Sequence, residues 1–123
     1  MSQAANRRTL DDWVEELIEV AGARAEEAVV TWQSERRAAG LPLDLYGGAF
    51  VHLYFTDRAL LNSFKRTGLA TKGAYPGQWI LEHRWAHVGQ EAGVATAMAE
   101  RVAALLNAAF RARAKAYVHE YLS

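Results

Sequence analysis

The sequence predicts an α+β fold. A small antiparallel sheet of two or three strands packs against long N- and C-terminal helices, in the order α-β-(β)-α-β-α. Two observations support this prediction. Apolar residues recur every three or four positions at both ends of the chain, whereas the middle holds glycines and alternating apolar and polar residues. A chain of 123 residues, 51% of them hydrophobic, is long enough for one domain with its own core. We expect that domain at residues 9–123, after a frayed N-terminus at residues 1–8.

The first predicted element is a long helix over residues 9–39. The hydroxyl of Thr9 can cap its N-terminus, with Asp12 where a capping partner belongs. Gly40 predicts the end of the helix, and Pro42 follows closely. The apolar residues of this segment form one stripe, which is typical of a helix that packs on a core: Leu10, Trp13, Val14, Leu17, Ile18, Ala21, Ala25, Ala28, Val29 and Trp32.

The pattern changes to that of strands after residue 41. Residues 49–55 are predicted as a strand, and Gly47-Gly48 supplies a plausible two-residue hairpin turn after a strand at 42–46. The alternative is that only the second of these strands exists. Thr56-Asp57 then predicts the N-terminal cap of a short helix over about residues 57–66, with Gly68 as its C-terminal stop.

A loop over residues 67–78 leads to the next predicted strand, 79–88. On that strand His83, Trp85 and His87 would share one face, and Glu82 and Arg84 would share the other. Two histidines four positions apart on a strand lie about 13 Å apart, too far to bind one metal ion. The segment is therefore either part of the core through Trp85 or a recognition face.

The last predicted element is one continuous helix over residues 95–122. The segment contains no Gly and no Pro and is rich in alanine, the strongest helix former. A helix of that length would span about 42 Å, whereas a compact domain of this size has a radius of gyration of only about 13 Å. Such a helix would leave surface uncovered in a single subunit, so we expect a homo-oligomer, most simply a homodimer.

Composition limits the class of protein. There is no Cys, which excludes disulfides and thiolate metal sites and fits a reducing cytoplasm. No signal peptide is evident at the N-terminus, and no apolar run reaches the length needed to span a bilayer. We therefore expect a cytoplasmic protein without membrane contact. The formal net charge is zero, but residues 1–50 carry nine acidic and five basic side chains, and residues 51–123 carry five acidic and nine basic.

The candidate site residues fall into two groups. A partner-binding surface is predicted where aromatic and basic residues of the 79–88 strand join the basic residues of the helix and loop before it, since Trp and Arg are frequent hot-spot residues: His83, Arg84, Trp85, His87, Arg58, Lys65, Arg66 and Lys72. A possible pocket combines His52, Tyr54 and Glu82, if the two strands that carry them pair with each other.

These features favour a non-enzymatic macromolecule-binding protein, a small regulator or inhibitor that acts by occupying a protein partner. The first alternative is a nucleic-acid-binding protein that uses the basic second half of the chain. The second is a small enzyme or ligand-binding protein built around the His/Tyr/Glu pocket. No catalytic residue, cofactor or metal ion is predicted from any motif.

Overall fold

The structure, a computed structural model, describes residues 3–40, 47–82 and 92–122. The predicted α+β class is confirmed, with three helices and a four-stranded antiparallel sheet. The elements follow in this order: α1 (Gln3–Ala39), β1 (Gly47–Phe55), α2 (Arg58–Thr67), β2 (Ala70–Lys72), β3 (Trp79–Leu81), α3 (Ala92–Phe110), a 3-10 turn (Arg111–Arg113) and β4 (Ala114–Leu122).

The four strands lie in the order β2-β3-β1-β4, and every neighbouring pair is antiparallel. The succession β1-α2-β2-β3-α3-β4 is the split β-α-β, or ferredoxin-like, arrangement, here preceded by the extra helix α1. This fold supports many unrelated functions, so the function has to be argued from the surface that it builds.

The predicted continuous helix over 95–122 is wrong. Helix α3 ends at Phe110, Arg111 adopts a left-handed backbone with φ 53°, and residues from Ala114 onward form β4. Strand β4 pairs with β1 along nine residue pairs, from Gly47↔Leu122 to Phe55↔Ala114. Helix propensity is a weak preference, and here the hydrogen bonds and packing of the sheet outweigh it. The sheet accordingly has four strands where the sequence predicted two or three.

The predicted turn at Gly47-Gly48 is also wrong, because both glycines lie inside β1 opposite Leu122 and Tyr121. The possible strand at 42–46 lies outside the described residues. Helix α1 begins at Gln3, so Thr9 is an interior residue of the helix and not its N-cap. Fraying of residues 1–8 stays a prediction.

The predicted C-terminus of α1 and both predicted ends of α2 are confirmed, because local sequence signals determine them. Gly40 has φ 66° directly after α1. The carboxylate of Asp57 accepts hydrogen bonds from the backbone N–H groups of Ala59 and Leu60 at the start of α2. Gly68, with φ 69°, ends α2.

The core lies between the sheet and the helices. Alternate residues of β1 and β4 point into it, among them Val51, Leu53 and Ala116. Helices α2 and α3 contact the strands, and α1 packs against α3 and α2. A chain of aromatic contacts links α1, α3, α2 and β1 through the rings of Trp13, Phe110, Phe64 and Phe55. Because the described helices gather on this side, the opposite face of the sheet is left without a helix over it.

Two carboxylates join distant segments. Asp11 of α1 accepts hydrogen bonds from the hydroxyl of buried Ser63 at 2.6 Å and from the guanidinium of Arg66 at 2.8 and 3.1 Å, which fixes α1 on α2. The Arg66 hydrogen bond lowers the pKa of Asp11 below its usual range. Asp57 likewise accepts from Nε of Arg113 at 2.6 Å, and this bond lowers its pKa.

The corner before β4 is held by the backbone as well. The carbonyl oxygen of Arg113 accepts from the N–H groups of Thr56 and Asp57, and the hydroxyl of Thr56 donates to the carbonyl of Ala112. The side-chain amide of Asn107 in α3 pairs with both backbone groups of Ala116. These bonds supplement the β1–β4 ladder, which provides most of the backbone partners of residues 114–122.

Within the described residues, no helix is both long enough and apolar enough to cross a membrane.

We predict that Arg111→Gly stabilises the protein by about 0.5–1 kcal/mol. A left-handed backbone costs a non-glycine residue about 1–2 kcal/mol, and the greater chain entropy of glycine offsets part of this gain. The matched control is Arg101→Gly at an exposed site inside α3, which should destabilise the protein by about 1 kcal/mol. Urea unfolding measures both free energies. Equal decreases in the free energy of unfolding of the two variants would show that α3 continues through residue 111.

Candidate functional site

The surface with the clearest functional character is the uncovered side of the sheet, which we call the outer face. It consists of the outward side chains of strands β1, β3 and β4: Phe50, His52, Tyr54, Ile80, Lys115, Tyr117 and His119. Their neighbours in sequence on β1, Val51 and Leu53, are fully buried on the helix side. Strict alternation therefore sorts apolar core residues to one side and aromatic residues to the other.

The aromatic side chains of the outer face contact each other across β1 and β4. The imidazole rings of His52 and His119 are stacked, with centroids 5.3 Å apart and planes 11° apart. The rings of Tyr54 and Tyr117 meet edge to face, with centroids 5.7 Å apart. Even so, Tyr54 is 39% exposed and Tyr117 is 51% exposed. The face is thus a pre-arranged aromatic surface that remains open to a ligand.

Gln78, which precedes β3, orients the centre of this face. Its side chain is buried, and its Oε1 accepts hydrogen bonds from the backbone N–H groups of Ala74 and Tyr75. Because Oε1 faces donors, the Nε2 amide group must point toward His52, where it lies 2.9 Å from Nδ1. Nδ1 must then be the acceptor. Neutral His52 therefore carries its proton on Nε2.

The surroundings of His52 keep it neutral. Burial lowers its pKa from the usual 6.5, and the positive charge that His119 can acquire lowers it further. The contact with Gln78 acts in the same direction, because a protonated Nδ1 would point an N–H group at an N–H donor. These effects together favour the neutral form of the His52 imidazole.

The outer face carries little formal charge. Lys115 is the one Lys, Arg, Asp or Glu that the described strands place on it. Glu82 comes directly after β3 and is exposed, and no hydrogen bond or ion pair within the described residues joins it to His52 or Tyr54. The described residues hold no group of three potential metal-binding side chains, and the parallel planes of His52 and His119 do not converge on one point.

Two of the three residues of the predicted pocket, His52 and Tyr54, lie together on the outer face, whereas the pocket itself stays a prediction. The condition for this pocket, that the two strands pair, is met, because His52 on β1 lies opposite Ile80 on β3, and Gln78 lies within 3.5 Å of the Tyr54 hydroxyl. The site therefore contains His52 and Tyr54 with Gln78, while Glu82 stays apart from them. Of the predicted partner-binding surface, four residues lie outside the described residues: His83, Arg84, Trp85 and His87.

The basic residues predicted on α2 and the following loop are on the helix side of the sheet. Arg66 is held by Asp11. The ammonium group of Lys65 lies 5.8 Å from the ring centroid of Trp79, and Lys72 is opposite Trp79 in the β2–β3 pairing. Arg58 is exposed at the start of α2. These residues do not join the outer face.

Tyr117, His119 and Gln78 belong to the site although they were not among the predicted site residues. The first two were assigned to a helix, although the alternation of residues 115–121 is also compatible with a strand. That period-two pattern was the signal that could have identified them. Gln78 carries no such signal, because its role depends on contacts with another strand.

Two clefts lie on the helix side. One, of 320 Å³, is lined by Glu15, Ile18, Glu19, Thr67 and Leu69. The other, of 340 Å³, is lined by Glu27, Ala28, Thr31, Trp32, Glu35, Ala97 and Arg101. Each lining includes one threonine and two glutamates, but no hydrogen bond among the described residues joins these groups, so the outer face remains the better candidate site.

Comparison of the chain with models of known protein families, with curated proteins and with solved structures found no match.

We predict that Gln78→Glu raises the pKa of His52. The new carboxylate can still accept from the loop N–H groups, and its second oxygen would accept from a protonated Nδ1. In the wild type, the contribution of His52 to stability is complete above its unfolded-state pKa of 6.5 and is lost as the pH falls toward its lowered folded-state pKa. In Gln78→Glu, the contribution of His52 to the free energy of unfolding is present below pH 6.5, and it is lost as the pH rises through the raised folded-state pKa of His52.

NMR titration of the His52 ring measures this change directly, and urea unfolding as a function of pH measures its effect on stability. The same midpoint for His52 in both proteins would contradict the assigned orientation of the Gln78 amide.

Proposed function

We propose that this chain is a non-enzymatic binding protein, a small regulator or inhibitor that occupies a protein partner through its outer face. The observation that carries the proposal is the open aromatic surface around His52, Tyr54 and Tyr117, on the side of the sheet opposite the core. Soluble proteins seldom keep a contiguous surface of this kind without using it for binding.

The composition of the outer face matches the centre of a protein interface. Such centres are enriched in aromatic residues and depleted of charged ones. Tyrosine in particular provides apolar contact area together with a hydroxyl, and it loses little conformational entropy on binding. The contact between Gln78 and His52 fixes part of this surface before a partner arrives, which reduces the entropy cost of binding.

A nucleic acid is the less favoured partner. Exposed aromatic rings can stack on bases, but affinity for nucleic acids comes largely from several Lys or Arg contacts with phosphates. On the described part of the outer face, Lys115 alone could make such a contact. An enzymatic role is weaker still, because Nδ1 of His52 is already occupied by Gln78.

The argument for a homodimer from the length of the last helix does not hold, although the 37 residues of α1 span about 55 Å. It depended on a helix of about 42 Å, whereas the 19 residues of α3 span about 28 Å. The oligomeric state therefore stays a prediction, as does the cytoplasmic location.

Photo-crosslinking tests the proposed function. We expect a photoreactive phenylalanine analogue at position 117 or 54 to capture one protein from the source cell. The same analogue at position 30 should not, because Val30, although 65% exposed, lies on α1 away from the outer face. The captured protein, once purified, should bind the wild type in calorimetry. Tyr54→Ala together with Tyr117→Ala should weaken that binding by about 2 kcal/mol or more.

Equal capture at all three positions, or adducts with nucleic acid only, would contradict the proposal. Circular dichroism of the double variant checks that it is folded. Loss of binding with retained folding then assigns the effect to the outer face.

A further inference from the structure

The hydrogen-bonding groups of the outer face are biased toward donors. Gln78 occupies Nδ1 of His52, so the imidazole offers its Nε2–H group, and no described side chain accepts from it. The second hydrogen of the Gln78 amide is directed at the Tyr54 oxygen, 3.5 Å away, which leaves the Tyr54 O–H free to donate. Lys115, opposite Tyr54 on β4, adds an ammonium group.

Strands β1, β3 and β4 place no carboxylate on this side of the sheet, and the one described carboxylate that continues an outward row is Glu82, directly after β3 and two residues beyond Ile80. A partner that approaches the outer face therefore meets N–H and O–H donors and one positive charge, set among aromatic rings. Groups that complement such a surface are hydrogen-bond acceptors, and above all carboxylates, since hydrogen bonds to charged acceptors are the strongest.

The remainder of the molecule reinforces this preference. Helix α1 as a whole carries eight acidic and five basic side chains, a formal net charge of −3. Helix α1 packs on α2 and α3 and so lies on the side of the molecule away from the outer face. An acidic partner is repelled by the α1 side and attracted to the opposite side, which orients its approach.

We infer that the outer face binds an acidic segment of the partner protein. A carboxylate of that segment accepts from Nε2–H of His52 and lies near Lys115, while apolar groups beside it pack on Tyr54 and Tyr117. This inference rests on the proposed function and adds the chemistry of the partner. A phosphate backbone fits less well, because it presents many charges to the one lysine of this face.

The test uses three short peptides that differ only in charge. Each alternates Tyr with a second residue, which is Glu, Gln or Lys, and carries a fluorescent label for anisotropy measurements with the full chain. We expect the Glu peptide to bind at least about tenfold more tightly than the Gln peptide, since a hydrogen bond to a charged acceptor has about this effect. The Lys peptide should show no binding.

A matched pair of variants locates the site. Lys115→Glu should weaken binding of the Glu peptide by about tenfold or more. Lys72→Glu makes the same charge change at an exposed residue of β2, on the helix side of the sheet, and should alter binding by less than about twofold once salt screens distant charges. Tyr54→Phe, with Tyr75→Phe in the loop before β3 as its control, tests the phenol donor in the same way.

Four results would overturn the inference: equal binding of the Glu and Lys peptides, equal effects of the two lysine variants, binding of single-stranded oligo-dT alone, or binding of none of these probes. Each of these results is distinguishable from failure of the proposed function. If cross-linking at positions 117 and 54 still captures a protein, the outer face is an interface and only its preference for acidic segments is wrong.

Discussion

The pairing of β4 with β1 is the interaction on which the rest of the structure depends. It joins nine residues on each strand and turns a helix-forming sequence into the edge of a sheet. On one side it brings Ala114 and Ala116 into the core, and on the other it brings Tyr117 and His119 next to Tyr54 and His52. The same ladder of backbone hydrogen bonds therefore supports the core on one side of the sheet and the candidate site on the other. The left-handed backbone of Arg111 ends α3 and allows this pairing. The carbonyl oxygen of Arg113, which accepts hydrogen bonds from the N–H groups of Thr56 and Asp57, then holds the start of β4 in place.

The outer face derives its chemical character from a residue beneath it. Gln78 satisfies two backbone N–H groups with its oxygen and uses its amide hydrogens on His52 and Tyr54. A buried amide in such a position must satisfy its hydrogen bonds, since an unpaired one costs about 1–3 kcal/mol. The same requirement fixes which nitrogen of His52 carries the proton. Gln78 therefore links the stability of the fold to the hydrogen-bonding groups that the outer face presents.

The charge distribution gives the molecule two unlike sides. Acidic residues are concentrated on α1, which Asp11 fixes to α2 through Ser63 and Arg66. The sheet side carries aromatic rings, donors and Lys115. A zero net charge conceals this difference, because the basic residues of the second half of the chain offset the acidic ones, and those of α2 and the following loop lie on the helix side as well. The division matters for binding, since it makes the approach of a charged partner directional.

The sequence by itself determined the features that depend on neighbours in the chain. The apolar stripe of α1, the cap of α2 at Asp57 and the glycine ends at Gly40 and Gly68 are all local, and the structure confirms them. These local features were also sufficient to predict the α+β class. Of the site, His52 and Tyr54 were identified because β1 has a clear strand pattern.

Only the tertiary structure decided the rest. Alanine-rich residues 95–122 satisfy helix propensity throughout, and no local signal marks Phe110 as the end of the helix. The strand forms because β1 offers nine partners from a distant part of the chain, and intrinsic propensity, at well under 1 kcal/mol per residue, is too weak to oppose them. Tyr117, His119 and Gln78 enter the site through that pairing and the β1–β3 contact, and no local pattern can show which strands will pair.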